Sequence, residues 1–149
     1  MIYQKAGVWF LRAEGFLLIA LGLVHLVATP HIAGLLKGSS PAVYRRAVGP
    51  TVLNHVLVGI LLLPLGYTTW LAAGGAERGE IWARRVLIGN SVVMCALPLS
   101  VIVFMRQPEY YNAPLFLFGV GLVAIISVLM IAATLTLLKG KLRHRLGGR

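Results

Sequence analysis

Apolar positions gather into four long runs, roughly residues 7–29, 51–73, 81–105 and 113–138, with short polar stretches between them. Each run is near the ~20 residues that cross the hydrocarbon core of a bilayer. Such a segment meets no water, so its backbone N–H and C=O groups must be satisfied within it, and the runs are read as helices. The predicted fold is an all-α integral membrane protein: a four-transmembrane-helix bundle forming one domain over residues 1–149. Pro64 and Pro98 fall inside the second and third runs, where a membrane helix tolerates proline with a kink. Trp82, Arg84 and Arg85 open the third run, placing its first turn at the interface, where long cationic side chains snorkel.

Composition agrees with this pattern. Hydrophobic residues make up 58% of the 149 and charged residues 12%, and the mean hydropathy is +0.86. In a soluble chain a net charge of +10 would suggest nucleic acid. Here the charges sit between and after apolar blocks, so anionic headgroups are the expected partner and no nucleic acid is expected. Cys95 is the single cysteine, which excludes an intramolecular disulfide and any CxxC pair. Lys5 and Arg12 before an apolar run ending in VAT resemble a signal peptide, but Glu14 within the run and its spanning length favour a retained helix.

Four spans leave both termini on one side. Lys5, Arg12, Arg78, Arg84, Arg85, Lys139, Lys141, Arg143, Arg145 and Arg149 lie at the termini and second loop, against Lys37, Arg45, Arg46 and Arg106 in the first and third. Ten positive charges against four predict an N-in, C-in protein of the cell membrane, multi-pass, in a bacterial inner membrane. The first loop, residues 30–50, is split by Pro30, by Gly38 to Pro41 and by Gly49–Pro50 into two pieces that can form interfacial turns of helix. Gly74 to Glu80 form a short second turn, and Tyr110 and Tyr111 in the third loop read as interfacial anchors. Residues 139–149 form a basic tail, with His144 in it, suited to anionic lipid on the cytoplasmic face. In the fourth run Gly119, Gly121, Ala124 and Ser127 suggest close helix packing.

Ionisable side chains inside a bilayer are costly and mark candidate sites. With ~1.5 Å of rise per residue, His25 on the first helix and His55 on the second come to one level near the outer face, with Asn54 beside them. Glu14, Asn90 and Tyr67 come to a second level nearer the inner face. Glu14 and His25, eleven residues apart, fall within about 20° on the helix wheel. His55, Gly59, Leu62, Gly66 and Thr69 form one stripe on the second helix by the same rule.

The outer layer admits a bis-histidine b-type haem, with His25 and His55 as axial ligands, Gly22 and Gly59 making room, and Lys37, Arg45 and Arg46 on the propionates. It also admits a divalent metal on the two imidazoles with Asn54 and His31, an incomplete first shell. The bland alternative is a packed, hydrogen-bonded pair. The inner layer admits proton or cation handling by Glu14 with Asn90 and Tyr67, against an ion pair of Glu14 with Arg12, Arg84 or Arg85. P-loop, GxSxG and HExxH motifs do not occur in the chain.

The segment FLRAEGFLLIALGLVHLVATP resembles the first helix of small bacterial four-helix membrane proteins of the DoxX-like group. Those proteins open with an arginine, a glycine-rich apolar run and a polar residue before a proline. The resemblance implies the four-helix layout and, for some members, association with respiratory or quinone-linked complexes. It carries over no catalytic residue. Little soluble mass and no recognisable catalytic set favour an accessory or structural subunit of a larger membrane complex, rather than an enzyme. Haem-linked electron transfer and proton or small-solute transport as a homo-oligomer are the alternatives.

Overall fold

The computed structural model describes residues 2–104 and 114–146. The interfacial role expected of Tyr110 and Tyr111, and residues Arg106 and Arg149, lie outside the described residues. Among the described residues four helices follow in chain order: α1 Ile2–Leu36, α2 Pro41–Arg78, α3 Ile81–Phe104 and α4 Pro114–Leu146. Each contains a stretch long and apolar enough to cross a membrane. Side chains that a water-soluble fold would bury point outward instead, among them Phe16 at 70%, Val27 at 80% and Phe104 at 83% exposure. An outer surface of this kind is matched to lipid.

The helices are longer than the apolar pattern predicts. Pro30 lies inside α1 and Pro50 inside α2, so the expected loop over 30–50 shrinks to residues 37–40. A proline removes one intrahelical hydrogen bond, whereas ending the helix would orphan four carbonyls and four amides at the membrane surface. The continuous helix is the cheaper solution. With 35 and 38 residues, α1 and α2 run to about 53 and 57 Å, so their outer turns pass beyond a ~30 Å hydrocarbon core.

The ends obey local rules. Ser40 caps α2, its hydroxyl facing the Val43 amide at 3.5 Å, and Pro41 takes the first helical position, where its missing N–H costs nothing. At the other end α2 absorbs Gly74 to Arg78 and stops at Gly79, whose φ is 83°. The Gly79 amide donates to Ala76 at 3.0 Å and the Glu80 amide to Gly75 at 2.9 Å. This is the Schellman closure, and it requires a residue free to adopt left-handed backbone. The expected second turn is thus two residues long. α4 runs on through Lys139, Lys141, Arg143, His144 and Arg145, so most of the predicted basic tail is backbone helix.

The chain divides into two compact units. One is Gly15–Thr68; the other takes α1 up to Glu14, α2 from Thr69, and α3 with α4. In the first unit α1 and α2 pack antiparallel with backbones in near contact: a Cβ on Gly66 would lie 2.5 Å from the Gly15 carbonyl oxygen and 2.8 Å from Ile19. In the second, α3 packs on α4 around buried Leu87, Met94, Ile126 and Met130. Gly119 and Gly121 meet nothing within 4 Å, so the close packing expected of them is absent, and Ser127 alone of that set is buried.

Gly66→Ala is expected to lower stability by about 1–3 kcal/mol, because the backbone opposite cannot move aside cheaply. Gly89→Ala, where nothing lies within 4 Å, is expected to be neutral or to gain up to about 1 kcal/mol of helix propensity. Unfolding of the two variants in detergent checks the contrast.

Candidate functional site

The imidazoles of His25 and His55 stack with ring centroids 5.0 Å apart and planes 28° from parallel. Their common level has a simple cause. A Cβ on Gly22 would lie 2.9 Å from the Gly59 carbonyl oxygen, and one on Gly59 would lie 3.0 Å from that of Gly22. His25 is one turn beyond Gly22 and His55 one turn before Gly59, so the antiparallel register brings the rings face to face. His25 Nδ1 lies 3.2 Å from the Leu21 carbonyl, a contact that an Nδ1–H satisfies, which leaves Nε2 as an acceptor. Thr29 donates to the His25 carbonyl at 2.8 Å. His55 Nδ1 is buried without a hydrogen-bond partner.

This geometry does not suit the haem expectation. Axial imidazoles point ring nitrogens at an iron between them, whereas here the ring faces meet and one nitrogen is committed to the helix backbone. Gly22 and Gly59, expected to leave room for a macrocycle, are pressed against each other. Lys37, Arg45 and Arg46, expected at the propionates, are exposed. Of the remaining ligands in the metal expectation, Asn54 and His31 are both exposed. Among the described residues no three His, Cys, Asp or Glu side chains gather into a metal-binding group.

Glu14 presents the opposite situation. It is 5% exposed, and both carboxylate oxygens are buried with no hydrogen-bond partner. The expected ion pair with Arg12, Arg84 or Arg85 is not formed. For Arg12 the reason is spacing: residues two apart point to opposite sides of a helix. The Nε atoms of Arg12 and Arg84 are themselves buried and unpartnered. Asn90 does not reach Glu14, since its amide donates to Thr69 Oγ1 at 2.8 Å, and Tyr67 is 55% exposed and so does not join an inner polar layer.

Four hydroxyl groups outside the expected polar layers, those of Thr69, Ser91, Thr134 and Ser127, link the helices of this second unit. Thr69 takes the Asn90 amide. Ser91 donates to the Leu87 carbonyl at 2.8 Å and lies 3.3 Å from Thr134 Oγ1. Ser127, flagged only as a small residue, donates to the Met94 carbonyl at 2.7 Å. The available signal was placement: Thr69 lies on the stripe that carries His55, Gly59, Leu62 and Gly66, and Ser91 follows Asn90. Ser91 and Thr134 also line a groove of about 440 Å³ between α3 and α4, otherwise apolar, with Cys95 and Leu99 along it. Their hydroxyls are engaged with protein, so the groove offers little to a polar ligand.

Between α2 and α3, Glu80 Oε1 accepts from Arg78 Nε at 2.6 Å and Oε2 from Trp82 Nε1 at 2.5 Å. The Arg78 hydrogen bond holds the Glu80 carboxyl below its ordinary value, and the Trp82 bond acts in the same direction. A depressed folded-state value means the turn is supported above the ordinary carboxylate range, with that support lost as pH falls through the lowered value. No family model, curated protein or solved structure matches the chain.

Two outcomes follow. Protein purified after expression with haem supplied is expected to show no Soret band; a band that His25→Ala and His55→Ala abolish would reinstate the haem. The Asn90–Thr69 bond is expected to couple the two positions by about 0.6 kcal/mol, and at most about 1.7. A double-mutant cycle of Asn90→Leu with Thr69→Val, read by unfolding in detergent, checks it.

Proposed function

We propose that this small multi-pass membrane protein is an accessory subunit of a larger membrane assembly, inserted with both termini in the cytoplasm, and that Glu14 is the polar group it offers to that assembly. The orientation rests on the ten-to-four division of positive charge. The observation that carries the functional reading is the Glu14 carboxyl, withdrawn from solvent on both oxygens without a donor in its own chain. A buried acid in that condition costs several kcal/mol unless a partner is supplied. Because neither oxygen is accessible in the lone chain, a donor from a neighbouring membrane subunit would supply it where association opens the packing around Glu14. The similarity of the first helix to the DoxX-like group, some of whose members accompany respiratory or quinone-linked complexes, points the same way.

Proton or cation movement through a homo-oligomer is the second reading, favoured by the same carboxylate, since a solute can provide the missing partner. The two readings separate on purified material. In the accessory reading, wild-type protein isolated from its own membranes in mild detergent retains a larger membrane partner, and Glu14→Gln retains at least tenfold less of it. The transport reading instead expects the protein alone in liposomes to dissipate a proton or cation gradient, with Glu14→Gln abolishing the flux. A stable lone monomer indifferent to Glu14→Gln in both assays contradicts both.

A further inference from the structure

The last two turns of α2 hold a pair of glycines within a buried small-residue segment, Ala72, Ala73, Gly74, Gly75 and Ala76. Helix packing accounts for Gly75: a Cβ there would lie 2.7 Å from the Ala83 Cβ and 3.0 Å from the Trp82 ring. Gly74 is different. A Cβ on it would meet no backbone and no apolar side chain within 4 Å, only Arg12 Nη2 at 3.3 Å and Arg78 Nη1 at 3.6 Å. Glycine is a poor helix former, and here the place a side chain would take is approached by two guanidinium groups.

Glu80 pairs with Arg78 through Nε at 2.6 Å, which leaves Arg12 as the guanidinium at this notch without an acidic partner among the described residues. Both Glu80 oxygens are taken, one by Arg78 Nε and the other by Trp82 Nε1, and Glu77 is exposed. The Arg78 bond to Glu80 leaves Nη1 directed at Gly74. Arg12 Nε is buried and unpartnered. With Arg12 unpaired and Arg78 bonded to Glu80 only through Nε, the group that complements both guanidinia is an oxyanion whose geometry matches their forks. The notch lies at the end of α2 that meets Trp82, Arg84 and Arg85 of α3, residue types typical of the headgroup level.

We infer that Arg12 and Arg78, converging across Gly74, form a binding site for a phosphoryl oxyanion, as carried by an anionic phospholipid headgroup or by a free phosphate ester. This site is separate from Glu14 and does not depend on the accessory role. It differs from general attraction of a basic surface for anionic lipid in needing two particular guanidinia and an unfilled residue 74.

The test titrates phosphatidylglycerol into the full-length protein in neutral detergent, with bound lipid counted by native mass spectrometry and phosphatidylcholine as the zwitterionic control. Arg12→Gln and Arg78→Gln are expected to weaken phosphatidylglycerol binding at least tenfold, and Arg12→Lys at least threefold despite its unchanged charge. Exposed Arg85→Gln and Arg45→Gln, which each remove the same charge, are expected to weaken it less than threefold. Gly74→Leu fills the notch with the arginines retained and is expected to match Arg12→Gln, which guards against misfolding of the arginine variants. Displacement of the lipid by millimolar inorganic phosphate supports a site for free phosphate esters; retention of the lipid supports a headgroup site. Equal losses for Arg12→Gln and Arg85→Gln overturn the inference, as does full binding by both Arg12→Lys and Gly74→Leu.

Discussion

A polar group carried into hydrocarbon must find its partner inside protein, and that requirement orders most of what is seen here. It makes each apolar run a helix, because only a helix satisfies its own backbone. The same requirement turns Ser91 and Ser127 back onto main-chain carbonyls and pairs Asn90 with Thr69. It also keeps α1 and α2 helical through Pro30 and Pro50, where a break would expose more backbone than a continuous helix. Among the described groups that depart from it, with His55 Nδ1 and the Nε atoms of Arg12 and Arg84, Glu14 is the one acid: both its carboxyl oxygens are buried with nothing to bond.

Hydrocarbon gives helices no hydrophobic reason to associate, so contact depends on how closely backbones approach. Between Gly15 and Thr68 that approach is set by glycines seven residues apart on each helix, Gly15 and Gly22 on α1, Gly59 and Gly66 on α2. Paired in antiparallel order, they fix the register, and the register stacks His25 on His55. The pair is therefore explained by packing, with no need for a metal or macrocycle between the rings. Where the sequence reading saw glycine as room for a cofactor, the backbone of the opposite helix occupies that room.

Run length and overall hydropathy made the four helices legible, and helical rise brought His25 and His55 to one depth. Helix ends were less so: Pro30, Pro50 and the Gly74–Gly75 pair carry the usual marks of a boundary, but tertiary and membrane context overrides them. Partner choice was least legible. Glu14 and Asn90 were placed at one level by depth, yet depth says nothing of direction around the helix. Asn90 turns to Thr69, and Arg12, two residues from Glu14, faces away from it.

The central claim is that α1 crosses the bilayer with Leu11, Glu14 and Leu18 on its protein-packed face, while Phe16 and Leu17, two and three positions beyond Glu14, meet lipid. A nitroxide scan of residues 8–29 in bilayers, reporting collisions with oxygen and with a water-soluble nickel complex, tests this directly. The account predicts oxygen maxima at Phe16, Leu23 and Val27, minima at Leu11, Glu14 and Leu18, and exclusion of nickel from all six. Nickel access at Phe16 or Val27, or an oxygen maximum at position 14, would contradict it.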